Sequence, residues 1–430
     1  MSDTITQSKH SAVTPDDTLS RPALAFILLI LSVSYLFNGM DRQMLPALLG
    51  QINADYHLTL AEGGFLSTAF AFNIALFGAF SGWCMKRFGR RSTLVGGLLA
   101  YSLFTFLTPF SNDFVGLAVY RALTGAGEAL HICAIFSCVG AYFGARRGAA
   151  MGVINASFGV GAYLGPVLGT LLFAMTGSWH TPFYAYGVAG AVAALLVLLF
   201  VPKHFSEARD LEGVTDVPNV EVGEPVRILN RNLVIVALAF ALLGISFFSF
   251  TALYAVFLHT QLHYTIPAAG ATLGMYGIGS LFGIVGGWLG DRLRTPGMLV
   301  ATLLLAATGH LLFHGPTSPF LQGGLSFAFG MLVSGYLYPR FISVLQRNVP
   351  AKDVSHAVSI GLPFFYIPGM AAGYSFGHLV EHFGWSPGAT LMLTVPPLFA
   401  FLLLLAYRPQ LSREGTGARI VGCKSTTGYK

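Results

Sequence analysis

Apolar residues dominate the chain in long runs that short polar connections separate. Each run has about 18 to 30 residues, enough for an α-helix rising 1.5 Å per residue to cross a hydrocarbon core ~30 Å thick. We count twelve runs, at 23–49, 61–84, 93–110, 113–142, 148–175, 182–201, 232–260, 268–290, 296–314, 318–346, 354–380 and 386–407. The pattern predicts an all-α membrane protein with twelve transmembrane helices.

One polar stretch divides these helices into two groups of six. It contains acids, Pro and Gly, and it reads as a linker. The predicted organisation is a tail, a six-helix bundle, a linker, a second six-helix bundle and a tail, at 1–22, 23–201, 202–231, 232–407 and 408–430.

The two halves also repeat each other. The stretch "FGAFSGWCMKRF" at 77–88 aligns with "FGIVGGWLGDRL" at 282–293, an offset of 205 residues. A period near half the chain length indicates a duplicated, pseudo-symmetric bundle. Duplicated bundles of this kind are typical of secondary transporters, in which the substrate site lies near the midplane between the halves.

Only 10% of the residues are charged, against about 25% in an average soluble domain. Lys and Arg outnumber Asp and Glu by 24 to 18, and the basic residues fall in alternate connections: Lys86, Arg87, Arg90, Arg91, Arg146, Arg147, Arg292, Arg294, Arg347 and Lys352. By the positive-inside rule, both termini and the linker are cytoplasmic. The excess of basic residues therefore reflects the orientation of the helices in a plasma membrane, most simply a bacterial inner membrane. The expected partner is membrane lipid and not nucleic acid. We expect a monomer.

Four charged residues lie well inside predicted spans: Asp41, Arg42, Arg121 and Glu128. Each such charge costs ~2.5 to 3.5 kcal/mol at a helix centre, so charges of this kind usually face the bundle interior and pair with one another. Asp41 and Arg121 are predicted at a similar depth, about 12 Å from the same membrane face. Glu128 lies seven residues beyond Arg121, on nearly the same helix face. A purely structural ion-pair cluster is the alternative interpretation.

The four charges sum to zero when both acids are ionised, and protonation of both acids leaves a charge of +2. An arginine released from its carboxylate could then bind a substrate carboxylate. Proton binding and anion binding would favour each other by linkage. Asp41 and Glu128 are therefore candidate proton sites, and Arg42 and Arg121 are candidate substrate ligands. His131 follows Glu128 by three residues and is either a proton relay or a histidine satisfied by a neighbouring helix.

The stretch "GWCMKRFGRR" at 82–91 resembles the loop 2–3 signature of the major facilitator superfamily, Gly-x-x-x-Asp-Arg-x-Gly-Arg-Arg, and the resemblance covers essentially the whole chain. It implies a role in conformational gating for Gly82, Lys86, Arg87, Gly89, Arg90, Arg91, Asp291 and Arg292. Lys86 stands where the signature has its acid, so latching in the first half is in question. The second copy keeps Asp291 but loses the Gly-Arg-Arg tail.

Within the superfamily, "NGMDRQMLP" at 38–46 together with "RALTGAGEA" at 121–129 is similar to the anion:cation symporters. Spinster-type lipid transporters share the Gly-x-Gly-Glu-Ala motif and are the second group that the sequence resembles. The resemblance implies proton-coupled uptake of a small organic anion by alternating access. It also implies a substrate cavity lined by polar and aromatic residues: Tyr35, Asn38, Asn155, Tyr276, Tyr336, Tyr338 and Tyr366. A structural role is the alternative for each.

Several alternatives stay open. The cargo could be an aromatic or heteroaromatic vitamin such as riboflavin, or a lysolipid. "GAYLGPVLG" at 161–169 resembles an antiporter signature, which would mean drug export, and a transporter-like sensor is a further alternative. Three histidine pairs at i,i+4 spacing, His259 and His263, His310 and His314, and His378 and His382, have no accompanying carboxylate motif, so no metal site is predicted. No cofactor is expected. No enzyme motif is present in the sequence, so the protein is not expected to be an enzyme.

Overall fold

A computed structural model describes residues 19–143, 147–207, 230–348 and 354–408. These residues form helices joined by short connections, and no β-strand occurs among them, so the predicted all-α class is confirmed. The long helices are α1 Arg21–Tyr56, α2 Leu60–Phe88, α3 Arg90–Phe110, α4 Phe114–Phe143, α5 Arg147–Thr176, α6 His180–Phe200, α7 Arg231–Thr260, α8 Ile266–Ser280, α9 Gly283–His314, α10 Pro319–Arg347, α11 Val354–Phe383 and α12 Trp385–Leu405.

Ten of the described helical segments are long and apolar enough to cross a membrane. The two remaining predicted spans, 268–290 and 354–380, are also helical, as α8 with the start of α9 and as α11. Predictions for residues 1–18, 144–146, 208–229, 349–353 and 409–430 lie outside the described residues.

The predicted boundary between the eighth and ninth helices is wrong. The helix ends at Ser280, and a new helix begins at Gly283 and continues through the predicted loop at 291–295. Leu281 and Phe282 donate to carbonyls three residues back, those of Ile278 and Gly279, which is a tightened turn. Pro296, where the ninth span is predicted to begin, lies inside α9. A helix tolerates an internal proline where it can bend and forgo one hydrogen bond.

Two further boundaries also differ from the prediction. α1 continues seven residues beyond 49 and ends at Tyr56; the next residue, His57, adopts the left-handed conformation of a helix C-cap. The linker was predicted to begin at 202, but Lys203–Ser206 forms a helical turn in which the Phe205 side chain is fully buried. Burial of one aromatic side chain outweighs the polar composition around it.

We name the two ends of the bundle by their connections. The distal face carries residues 57–59, 111–113, 177–179, 261–265, 315–318 and 384, and the terminal face carries the first and last described residues. α2 and α11 join the two halves near the distal face. A Cβ on Gly373 would lie 2.0 Å from the Gly64 carbonyl oxygen, so only glycine permits this approach. The Thr68 hydroxyl also donates to the Met370 carbonyl at 2.7 Å. The halves are therefore closed against each other on the distal side.

Candidate functional site

Two arginine–carboxylate pairs lie inside the first six helices. The Nε and Nη2 atoms of Arg42 both donate to Oε2 of Glu128, at 3.0 and 2.9 Å. Nη1 of Arg121 lies 3.5 Å from Oδ2 of Asp41. All four residues are at most 8% exposed. The structure thus brings the four intramembrane charges together, and we call these residues the charged cluster.

Neighbouring polar groups fix the orientation of the charged cluster. The Thr105 hydroxyl of α3 donates to Oδ1 of Asp41 at 2.5 Å. Nη2 of Arg121 donates to the backbone carbonyl of Arg42 at 3.1 Å, which ties α4 to α1. Asn38 lies one turn before Arg42, and its Oδ1 accepts from Nη2 at 3.4 Å. Asp41 therefore uses one oxygen for a hydroxyl and the other for a guanidinium.

Aromatic rings flank both guanidinium groups. Cζ of Arg42 lies 5.3 Å from the ring centroid of Phe70 and 5.1 Å from that of Phe158. Cζ of Arg121 lies 4.7 Å from the Phe70 centroid. A cation over an aromatic face gains about 0.5 to 2 kcal/mol, with the larger value in a desolvated site. These contacts hold the arginines in place without neutralising them.

Glycines on α4 allow the helix to reach its neighbours. A Cβ on Gly125 would lie 2.5 Å from the Phe70 carbonyl oxygen, and one on Gly127 would lie 2.5 Å from the Tyr101 nitrogen. These two glycines therefore permit close helix approach. α4 is thereby held where Arg121 and Glu128 meet α1.

Several buried polar atoms around the charged cluster have no hydrogen-bond partner among the described residues. They are Oε1 of Glu128, Nδ2 of Asn38 and Nε of Arg121. Most buried polar groups in proteins are hydrogen-bonded, so unpaired ones call for an explanation. A polar ligand that reached this point would find both donors and acceptors.

His131 lies beside the charged cluster on α4. Its Nε2 is 3.2 Å from the Ser34 hydroxyl of α1, and its Nδ1 has no partner among the described residues. The ring packs near Tyr35 and Tyr101, with centroid distances of 6.1 and 5.8 Å. This is the arrangement of a histidine satisfied by a neighbouring helix, and the relay role stays a prediction.

Tyrosines of the last six helices reach towards the charged cluster from the other side. The charge of Arg42 interacts electrostatically with the side chains of Tyr276, Tyr338 and Tyr366. Tyr276 is 1% exposed. Tyr366 is half-buried, and its ring packs 5.8 Å from that of Phe248. These side chains and the charged cluster therefore face each other across the boundary between the halves.

Two predicted lining residues lie elsewhere. Asn155 is exposed on α5. Tyr336 lines an apolar cavity of about 500 Å³ between α9 and α10, together with residues such as Leu289 and Met331. Neither makes a described hydrogen bond with the charged cluster. Thr105, Phe70 and Phe158 contact the cluster but were missed by sequence reasoning.

The loop 2–3 signature lies on the terminal face. Gly89 has a φ of 86°, which favours glycine. The backbone N–H groups of Arg90 and Arg91 donate to the two carboxylate oxygens of Glu207, at 3.2 and 2.9 Å. Glu207 thus caps the start of α3, where a negative charge is favourable. Sequence reasoning missed it because the contact requires the chain after α6 to fold back.

The remaining gating candidates occupy the same face. Gly82 is half-buried at the end of α2, and Lys86, Arg87 and Arg292 are exposed. The side chain of Asp291 lies outside the described residues. The gating role therefore remains a prediction for the whole signature.

All six paired histidines are exposed. The expectation that no carboxylate accompanies them is wrong for one pair. Glu381 lies between His378 and His382, and one possible ligand atom from each of the three residues lies within 4.8 Å of the others.

Comparison with known proteins places this architecture in a family. The family model of the Major Facilitator Superfamily matches residues 31–373, so the chain belongs to that superfamily and is a multi-pass membrane transporter. It is 24% identical over 399 residues to the uncharacterized MFS-type transporter YceJ of Bacillus subtilis, covering 90% of this chain and 97% of that protein.

Two further relatives match over shorter segments. The hexuronate transporter of Bacillus subtilis is 28% identical over 179 residues, which is 41% of this chain and 42% of that protein. The cis,cis-muconate transport protein of Acinetobacter baylyi is 28% identical over 183 residues, 42% of each chain.

Among solved structures, the chain resembles an inward-facing, unoccupied bacterial homolog of the human lysosomal transporter Spinster. The TM-score is 0.71 and the identity 18%, over 91% of this chain and 97% of that one. This likeness supports the transporter fold.

Proposed function

We propose that the protein imports a small organic anion together with protons, by alternating access, in a bacterial inner membrane with its terminal face in the cytoplasm. The observation that carries the proposal is the pair of buried arginine–carboxylate contacts, Arg42 with Glu128 and Arg121 with Asp41. The names of the hexuronate and cis,cis-muconate relatives, both carriers of organic acids, favour the same substrate class.

The first step of the mechanism is a competition for Arg42. Nε and Nη2 of Arg42 both donate hydrogen bonds to the same carboxylate oxygen, Oε2 of Glu128. A proton on Glu128 removes the negative charge that holds the guanidinium. A substrate carboxylate can then take the two N–H groups as a bidentate pair, which arginine geometry favours. Asp41 and Arg121 form a second pair, in which protonation of Asp41 would release Arg121 for a substrate carboxylate in the same way.

The second step links charge balance to movement. The charged cluster is neutral when both acids are ionised and carries +2 when both are protonated. An unpaired buried charge destabilises a protein by about 3 to 5 kcal/mol. The protonated empty state is therefore disfavoured. A dianion restores neutrality when both acids are protonated, and a monoanion restores it when one acid is protonated. The carrier would change conformation readily when both proton and anion are bound, or when neither is.

The third step joins the two halves. Tyr276 and Tyr366 come from the last six helices and lie within electrostatic range of Arg42. An anion held at Arg42 would interact electrostatically with both tyrosines, so both halves would respond to the cargo. Substrate contacts shared between halves are how this class of carrier couples binding to alternating access.

Uptake into liposomes tests the proposal. Purified protein is reconstituted with an imposed pH gradient, inside alkaline, and offered radiolabelled glucuronate, cis,cis-muconate and benzoate. Wild-type protein should accumulate at least one of these anions, and Glu128→Gln should lose accumulation while retaining exchange. Glu62→Gln is the control, because Glu62 is a partly exposed residue in a helix capping box that glutamine also satisfies. Equal accumulation by the Glu128→Gln protein would remove Glu128 from the coupling role.

Lysolipid transport is the second candidate function. An apolar cavity of about 590 Å³, lined by residues of α5, α8, α9 and α10 such as Tyr163, Met275 and Phe320, would suit an acyl chain. The same liposomes loaded with labelled lysophospholipid separate the two candidates. Riboflavin uptake, drug efflux against a proton gradient, and ligand binding without transport are the other outcomes that would replace the organic-anion proposal.

A further inference from the structure

Three side chains with metal-ligating atoms lie on one face of α11 at its distal end. His378, Glu381 and His382 occupy positions i, i+3 and i+4, which lie side by side on a helix. One possible ligand atom from each lies within 4.8 Å of the other two. Among the described residues this is the one group of three or more histidine, cysteine or acidic side chains that meets this distance.

The orientation of the rings suits a metal ion. Nδ1 of His382 lies 2.9 Å from the backbone carbonyl of His378. A carbonyl only accepts, so Nδ1 carries the hydrogen and Nε2 is left with its lone pair. Metal-bound histidines are usually held by such a second hydrogen bond. The His378 ring stacks on Tyr374, with planes 6° apart, which limits its rotation.

The place in the fold also favours a cation. His382 is in the last turn of α11, and a helix C-terminus attracts positive charge. In the His310/His314 pair, Nδ1 of His314 also lies near a carbonyl, that of His310 at 3.0 Å, but its Nε2 lies 2.8 Å from the Ser386 hydroxyl. Nδ1 of His259 lies 2.7 Å from the Tyr264 carbonyl. His378 and His382 are the pair that has a neighbouring carboxylate.

Glu381 also connects the two halves of the molecule. Its Oε1 accepts the backbone N–H of Ala61, in the first turn of α2, at 3.1 Å. At the same level a Cβ on Gly377 would lie 2.3 Å from the Leu60 carbonyl oxygen, so the two backbones are in close contact. An ion that fixed the Glu381 carboxylate would hold this bridge in place.

We propose that His378, Glu381 and His382 bind a divalent transition-metal ion such as Zn²⁺, and that the bound ion keeps the distal face closed by fixing Glu381 against α2. Two imidazoles and one carboxylate are a common ligand set for Zn²⁺, with water completing the tetrahedron. Mg²⁺ and Ca²⁺ prefer all-oxygen sites and do not bind here.

Metal binding is tested on purified full-length protein from which any histidine tag has been removed. Co²⁺ serves as the spectroscopic probe and Zn²⁺ as its competitor. Wild-type protein should show visible Co²⁺ absorption that Zn²⁺ removes, and His378→Asn with His382→Asn should weaken binding at least about 10-fold. His310→Asn with His314→Asn is the matched control and should bind like the wild type. No binding at 100 µM metal, or equal binding by the His378/His382 variant, would overturn the site.

Closure of the distal face is tested by hydrogen exchange and mass spectrometry. Zn²⁺ should slow exchange at least about threefold in the peptide that contains Ala61, because opening there would require the Glu381 contact to break. Mg²⁺ should have no effect, and Glu381→Gln should abolish the slowing while Co²⁺ binding to the two histidines persists more weakly. Zn²⁺ binding without slower exchange at Ala61 would overturn the closing role. This readout needs no substrate, so it is independent of the proposed transport function.

Discussion

Replacement of Glu128 by glutamine should turn Arg42 into a free anion site. In the structure, both described hydrogen bonds from Arg42 to Glu128 reach a carboxylate oxygen of a residue that is 0% exposed. Hydrogen bonds to charged groups contribute about 1.5 to 3 kcal/mol each, so a substrate at Arg42 must displace about 3 to 6 kcal/mol of interaction. Glutamine keeps an acceptor but loses the charge. A loss of only ~1.4 kcal/mol from the competing contact makes anion binding tenfold tighter.

The assay is equilibrium binding of a transported anion at pH 5.5 and pH 8. Wild-type affinity should fall as pH rises, because ionised Glu128 competes for Arg42. The Glu128→Gln protein should bind at pH 8 at least about tenfold more tightly than the wild type, with a smaller change in affinity between the two pH values because Asp41 still titrates beside Arg121. Glu62→Gln should behave like the wild type. Unchanged pH dependence in Glu128→Gln, or no gain in affinity at pH 8, would refute the competition.

Three other substitutions test separate parts of the account. Arg121→Lys should weaken anion binding at least about tenfold in the same assay. Two nitrogens of the Arg121 guanidinium donate to two different acceptors, and a single ammonium group cannot replace both contacts. Unchanged affinity would indicate a neutral substrate. Folded Gly373→Val protein should show an initial rate of uptake no higher than background, because the valine side chain would overlap the Gly64 carbonyl. A wild-type rate of uptake would show that this contact is dispensable. Glu207→Ala should lower the free energy of unfolding by about 0.5 to 2 kcal/mol, measured by thermal melting, through loss of the cap on α3, and an unchanged melting temperature would argue against that cap.

The fold was accessible from the sequence because long apolar runs have few alternatives in a membrane. The predicted helix boundaries were wrong where polar or charged residues continue a helix. Arg292 and Arg294 indicated a connection between two spans, yet α9 continues through them. The residues between Gly50 and Tyr56 are too polar to extend a predicted span, yet they complete α1. Hydropathy therefore locates helices well and their ends less well.

The charged members of the candidate site were also visible in the sequence, because charges are rare inside apolar helices. Their partners were not. Thr105 and Phe158 are of residue types that occur throughout membrane helices, and only the packing of α3 and α5 against α1 brings them to Asp41 and Arg42. Such contacts depend on helix rotation and crossing, which one sequence does not specify.

Calorimetric titration of a transported anion in buffers of different ionisation enthalpy tests the central claim most directly. The claim is that anion binding and protonation of the charged cluster favour each other, so anion binding should take up protons from solution. Wild-type protein near pH 7 should show proton uptake on binding, and Glu128→Gln should show less. Anion binding by the wild type with no proton uptake at any pH between 5 and 8 would contradict the account.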